Sequence, residues 1–166
     1  MASVSTLPHP ARVIAVFRRA DLPRGPDRAA GLALWRVADP GNVGTLIRTA
    51  DALGPAFVAL SAGCGDPTGP KALRASAGAI FRVPLADFEE APRPRIGLVA
   101  HGGVPLPQLE LPERVSFVLG AEREGLTEEI AAACDELATI PLTPPAESLN
   151  VAAAGAVALY EWRRQR

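Results

Sequence analysis

Short, unbroken apolar runs, each followed by a turn or a helical stretch, limit most strongly what this chain can fold into. They lie at residues 13–17, 32–37, 56–60, 80–84, 96–100, 116–120 and 137–142. Because apolar residues are continuous rather than alternating, the runs read as strands buried on both faces of a parallel sheet. Helices are predicted between them at residues 42–53, 70–77, 127–134 and 148–164. Alternating strands and helices predict an α/β fold, a mostly parallel sheet flanked by helices. Thr127 before Glu128 and Glu129 reads as an N-cap with acidic residues at the positive end of the dipole, and Ser148 as a cap of the last helix. Gly54-Pro55 should stop the first helix. The proline-bearing stretches 23–26, 92–94 and 105–112 read as loops, and no internal repeat is evident. One domain over residues 1–166 is expected.

Composition narrows the function classes. Aromatic residues are 5% of a chain that is 48% hydrophobic, so the core must be aliphatic. No apolar run is long enough to span a bilayer, and the first ten residues lack the basic and apolar regions of a secretion signal. Cys64 and Cys134 are far apart without metal-ligand spacing, which suits free thiols in a reducing cytoplasm. No His/Cys/Asp cluster suggests a metal. A net charge of −1 excludes bulk electrostatic capture of nucleic acid, so any RNA contact must be local. Arginine supplies nearly all positive charge, Lys71 being the only lysine; a GC-rich genome would produce the same bias.

Three polar segments fall where a strand ends and a helix begins, the place where open α/β sheets bind ligands. The first runs Asp39-Pro40-Gly41-Asn42-Val43-Gly44 and continues to Arg48. Its two glycines would let backbone approach a ligand, although Asn42 also suits a plain cap and Arg48 a solvated helix position. The second, Leu119-Gly120-Ala121-Glu122-Arg123-Glu124-Gly125, places a carboxylate in a glycine-bounded loop; Glu122 there can accept backbone amides, orient an arginine, or form an ordinary salt bridge. In the third, Ile140-Pro141-Leu142 leads to Ser148-Leu149-Asn150-Val151, whose polar groups suit either a site or a helix cap. His101, after the fifth run, is a weaker candidate for the same pocket. The helix after Asn150 is apolar or small on every face, as in a core helix or a dimer interface.

Taken in order, these segments resemble motifs 1, 2 and 3 of the SpoU (TrmH) branch of the SPOUT RNA methyltransferases. The matching residues are Asn42-Val43-Gly44 with Arg48-Thr49-Ala50, Gly120-Ala121-Glu122 with Gly125-Leu126, and Ile140-Pro141 with Ser148-Leu149-Asn150-Val151; residues 71–84 also resemble the family. The resemblance covers residues 13–162. It implies a C-terminal deep trefoil knot, an exception to the usual absence of knots, and a homodimer that completes its site across the interface. It further implies S-adenosylmethionine as cofactor, held by backbone around Ala100, His101, Leu119, Gly120, Gly125, Ile140, Leu142 and Leu149. The methyl acceptor would be a ribose 2′-hydroxyl of tRNA or rRNA in the cytoplasm, with no metal and no membrane. Arg48 resembles the family's catalytic arginine, with Asn42, Glu122, Ser148 and Asn150 organising it and the ribose. Arg74, Arg82 and Arg123 are candidates for RNA contact.

The chain departs from the family in three places. Only residues 1–10 stand where many members carry an RNA-recognition domain, Ala152 replaces a common serine, and Pro144-Pro145 stiffens the loop before motif 3. Two other readings stay open at this level. One is an inactive RNA-binding or assembly protein on the same fold; the other is a flavodoxin-like nucleotide module, which would bind flavin or nucleotide and not adenosylmethionine.

Overall fold

A computed structural model of the chain describes residues 15–166. Seven strands form one parallel sheet: β1 (Ala30–Leu34), β2 (Ala56–Leu60), β3 (Leu85–Asp87), β4 (Arg95–Leu98), β5 (Val104–Pro105), β6 (Val115–Leu119) and β7 (Glu136–Thr139). Their order across the sheet is β3-β2-β1-β6-β4-β7-β5, every neighbouring pair parallel. The helices are α1 (Pro40–Leu53), α2 (Pro70–Ser76), α3 (Glu128–Ala132) and α4 (Val151–Arg164). In β1 and β6 every residue is buried, as unbroken apolar runs require.

Successive side chains leave a strand on opposite faces, and the core divides accordingly. Leu32, Leu34, Val58, Phe117 and Leu119 join Val43, Leu46 and Ile47 of α1 and Leu159 and Trp162 of α4. Ala33, Phe57, Ala59 and Val118 form the other side with Phe88, against which Leu126, Ile130 and Cys134 pack. Small residues set the close approaches. At Gly44 a Cβ would lie 2.3 Å from the Ala72 carbonyl oxygen, so this motif 1 glycine, expected to admit a ligand, instead lets α1 press against α2. Gly44→Ala should therefore lower stability by about 1–3 kcal/mol through overpacking, read as a lower urea midpoint. An unchanged midpoint would contradict that contact.

Several local expectations need correction. Of the strand predicted at 13–17, the first two residues lie outside the described ones and the rest form no strand. Residues 80–84 are not a strand. Ala77 and Gly78, both left-handed, end α2; a 3-10 turn over Ala79–Phe81 then buries Ala79 and Ile80, and the chain joins the sheet only at Leu85. The apolar residues there serve a turn packed on the core. Asp39 caps α1, its Oδ1 accepting from the Gly41 amide at 2.6 Å. Asn150, rather than Ser148, caps α4 by accepting from the Ala152 amide at 2.9 Å. Thr127 caps α3 and Gly54 ends α1 as expected. Pro105, predicted to open a loop, instead forms the edge strand β5 with Val104. Both cysteines are free. Among the described residues no helix is long and apolar enough to cross a membrane, and no cluster of three potential metal ligands occurs.

Candidate active site at the carboxyl ends of the central strands

Three neighbouring strands, β6, β4 and β7, end beside a cavity of about 530 Å³. Leu98 to Ala100 enter it from β4, Leu119 to Leu126 from β6, Ile140 and Leu142 from β7, and Ser148 to Val151 from the start of α4. Seven of the eight residues expected around the cofactor line it: Ala100, Leu119, Gly120, Gly125, Ile140, Leu142 and Leu149. His101 does not; it is exposed in the following loop, outside the cavity lining. The loop after β6 is pinched shut by paired backbone hydrogen bonds between Ala121 and Gly125, at 2.9 and 3.1 Å. This close return explains Gly120, where a Cβ would sit 2.1 Å from the Gly125 carbonyl carbon.

Glu122 projects from that pinched loop and ties the three polar segments together. Its carboxylate accepts hydrogen bonds from the amides of Ala38 (3.2 Å) and Asp39 (3.1 Å) and from Asn42 Nδ2 (3.0 Å). Asn42 Oδ1 in turn accepts from Asn150 Nδ2 at 3.2 Å. Partial burial pushes the Glu122 carboxyl upward, but the donors from Asn42, Asp39 and Ala38 outweigh it and hold it below its ordinary value. Glu122 is thus an anchored anion, poorly suited to proton transfer at neutral pH. Ser148 lines the cavity, exposed, without joining this network.

On the other side of the Ala121–Glu124 loop lies a second cavity, also about 530 Å³, lined by Arg36, Ala38, Asp39, Asn42 and Gly63 together with that loop. Arg36 escaped the sequence reading because it fell inside the strand predicted to run to residue 37, whereas β1 ends at Leu34; Ala38 fell in the gap between that run and the first polar segment. Arg48 is exposed on α1, lines neither cavity, and makes no side-chain hydrogen bond or ion pair among the described residues. Of the arginines considered for RNA, Arg82 is held by Asp51 at 2.6 Å, whereas Arg123 lines both cavities.

Residues 30–160, most of the chain and all three segments, match the SpoU rRNA Methylase family. The chain belongs to the SpoU family. Membership implies the C-terminal trefoil knot of the SPOUT class. An uncharacterized tRNA/rRNA methyltransferase of Synechocystis sp. is 36% identical over all of this chain and 65% of its own length. The 23S rRNA (uridine(2479)-2′-O)-methyltransferase of Streptomyces viridochromogenes is 32% identical over 95% of this chain and 61% of its own. The AdoMet-bound rRNA methyltransferase of Sinorhizobium meliloti superposes with a TM-score of 0.77 at 34% identity, covering 84% of this chain and 58% of that one. Across such curated relatives this SpoU chain spans about 45 to 65% of their length.

Proposed function

We propose that this SpoU chain transfers a methyl group from S-adenosylmethionine to a ribose 2′-hydroxyl of tRNA or rRNA in the cytoplasm. The observation that carries the reading is the hydrogen-bonded chain Glu122–Asn42–Asn150, which joins the three family motifs beside a cavity at the strand ends. The cavity fits the cofactor. Its volume is that of a small-molecule site. Leu119, Leu126, Ile140, Leu142 and Leu149 offer apolar walls for an adenosyl group, and exposed backbone around Gly120 and Gly125 offers donors and acceptors for its polar edges. AdoMet-bound relatives of the same fold support the choice.

Bound there, adenosylmethionine would supply an activated methyl on a sulfonium. The protein's task is then alignment of the ribose oxygen and stabilisation of its developing charge. Asn42, Glu122 and Asn150 hold the motif 1 helix start against the motif 2 and motif 3 loops, and Ser148 faces the same cavity. Arg48 is assigned to an RNA phosphate and the nascent alkoxide, since a guanidinium is always protonated and makes a poor base. Its position away from both cavities of its own chain fits a site completed by a second copy. One side of α4 supports such a copy: it leaves Val157 and Tyr160 exposed, Tyr160 by 59%, while Ala158, Leu159 and Trp162 are buried.

Incubation with tritiated S-adenosylmethionine and bulk tRNA or rRNA, followed by mapping of 2′-O-methyl positions, tests the reaction. RNA binding without transfer would favour the inactive assembly protein. Light scattering should give a dimer at micromolar concentration; a monomer would remove the partner that Arg48 requires.

A further inference from the structure

We infer that Arg36 is a phosphate-binding residue, which holds the backbone of the RNA strand in the second cavity, on the far side of the Glu122 loop from the cofactor. The inference rests on the RNA reading above and extends it to a residue outside the three motifs. The first observation is conformational. Arg36 has φ +54°, a left-handed backbone that is uncommon for a residue with a Cβ and that glycine adopts freely. Such an outlier is a pointer to function when its surroundings over-determine it, and here they do. The Arg36 amide donates at 2.9 Å to Oγ of the buried Ser61, whose hydroxyl in turn donates to the Ala62 carbonyl. The preceding amide, of Trp35, donates to the Leu119 carbonyl at 2.8 Å, which fixes this turn against the strand that leads into the motif 2 loop.

The second observation is where the side chain lies and what it lacks. Its stem passes over Gly63, whose Cβ position is 3.6 Å from Arg36 Cγ, and the residue lines the cavity with Asn42 and Arg123. The nearby carboxylates are mostly engaged: Glu122 by three N–H donors, and Asp39 by Lys71 at 2.7 Å and by Gly41. Glu124, which lines both cavities, has no such partner among the described residues. Arg36 and Arg123 likewise make no side-chain hydrogen bond or ion pair among the described residues. Two unpaired guanidiniums thus share a cavity with the Asn42–Glu122 pair, and planar multi-donor groups of this kind match phosphate oxygens.

Arg36→Gly isolates the side chain, because glycine accepts the same φ and should leave the thermal midpoint unchanged or higher. With total tRNA and fragmented ribosomal RNA as probes and saturating S-adenosylmethionine, Arg36→Gly should weaken RNA binding by about tenfold and shrink the slope of log affinity against log salt by about 0.7 to 0.9, the signature of one lost phosphate contact. Arg36→Lys should restore most of the slope and only part of the affinity. S-adenosylmethionine affinity should not move in either variant. An Arg36→Gly chain that keeps wild-type RNA affinity and salt slope overturns the assignment. So does one that loses affinity with the slope intact, the result of a merely structural role. A wild-type chain that binds neither RNA pool would overturn the RNA reading itself, a result distinct from either.

Discussion

Arg48→Ala should abolish methyl transfer, by about 10²–10³-fold or more, while S-adenosylmethionine affinity stays within about threefold of wild type. The split follows from position. Arg48 is solvent-exposed on the middle of α1, has no partner within the described residues, and lies outside the cavity assigned to the cofactor. Removing it costs neither packing nor a buried charge, so the folded chain and its cofactor pocket should survive. A charge acting on phosphate and a developing alkoxide contributes mainly in the transition state, and such groups appear in turnover rather than in cofactor binding. Arg48→Lys should recover little, because an ammonium cannot reproduce a planar set of donors. Calorimetry with S-adenosylmethionine, paired with tritium transfer to bulk RNA, checks both halves. Loss of cofactor affinity in Arg48→Ala would place this arginine in the wrong part of the site.

Gly120→Val should produce the opposite pattern, loss of S-adenosylmethionine binding by about 100-fold or more. Its Cβ would lie 2.1 Å from the carbonyl carbon of Gly125 and 2.4 Å from the Leu126 amide, both backbone atoms that cannot rotate aside. The motif 2 loop would have to open, breaking the Ala121–Gly125 pairing and moving the wall of the cavity. Gly125 answers to a different constraint. A Cβ there meets nothing within 4 Å, but φ is +67°. Gly125→Ala should therefore cost only about 1–2 kcal/mol of backbone strain and bind cofactor more weakly without losing it. Circular dichroism at the assay temperature separates a closed pocket from an unfolded chain. A folded Gly120→Val protein with wild-type affinity would show that the loop is not the cofactor wall.

Much of the site was legible because it consists of motif residues at strand ends. Asn42, Glu122 and Asn150 could be named from their segments and from the family they resemble, and seven of eight expected cofactor contacts do line one cavity. Errors arose where one local signal suits two structures. The apolar residues near Ile80 satisfy a strand or a buried turn equally, and only the left-handed Ala77 and Gly78 decide for the turn. Ser148 and Asn150 both have capping side chains, and the entry of the chain into α4 selects Asn150. Gly44 suits a ligand-facing glycine in sequence as well as a helix contact, and the Ala72 carbonyl of α2 against it decides for the contact. Arg36 was concealed inside an apolar run that continues, in sequence, to residue 37, past the end of β1 at Leu34.

The sequence by itself determined the class of fold and the family. Continuous apolar runs need cover on both faces, their alternation with helical stretches makes that cover helical, and three motifs in order leave few alternatives. Tertiary structure decided which polar groups share a site. Asn42 and Asn150 are 108 residues apart and Asn42 and Glu122 are 80 apart, yet each pair is within hydrogen-bonding distance. Local propensity is blind to such separations, because the strand order places β6 between β1 and β4 whatever their positions along the chain. The same order sets the two cavities on either side of one loop, since the segments that follow β1 and β2 meet it from one side and those that follow β4 and β7 from the other.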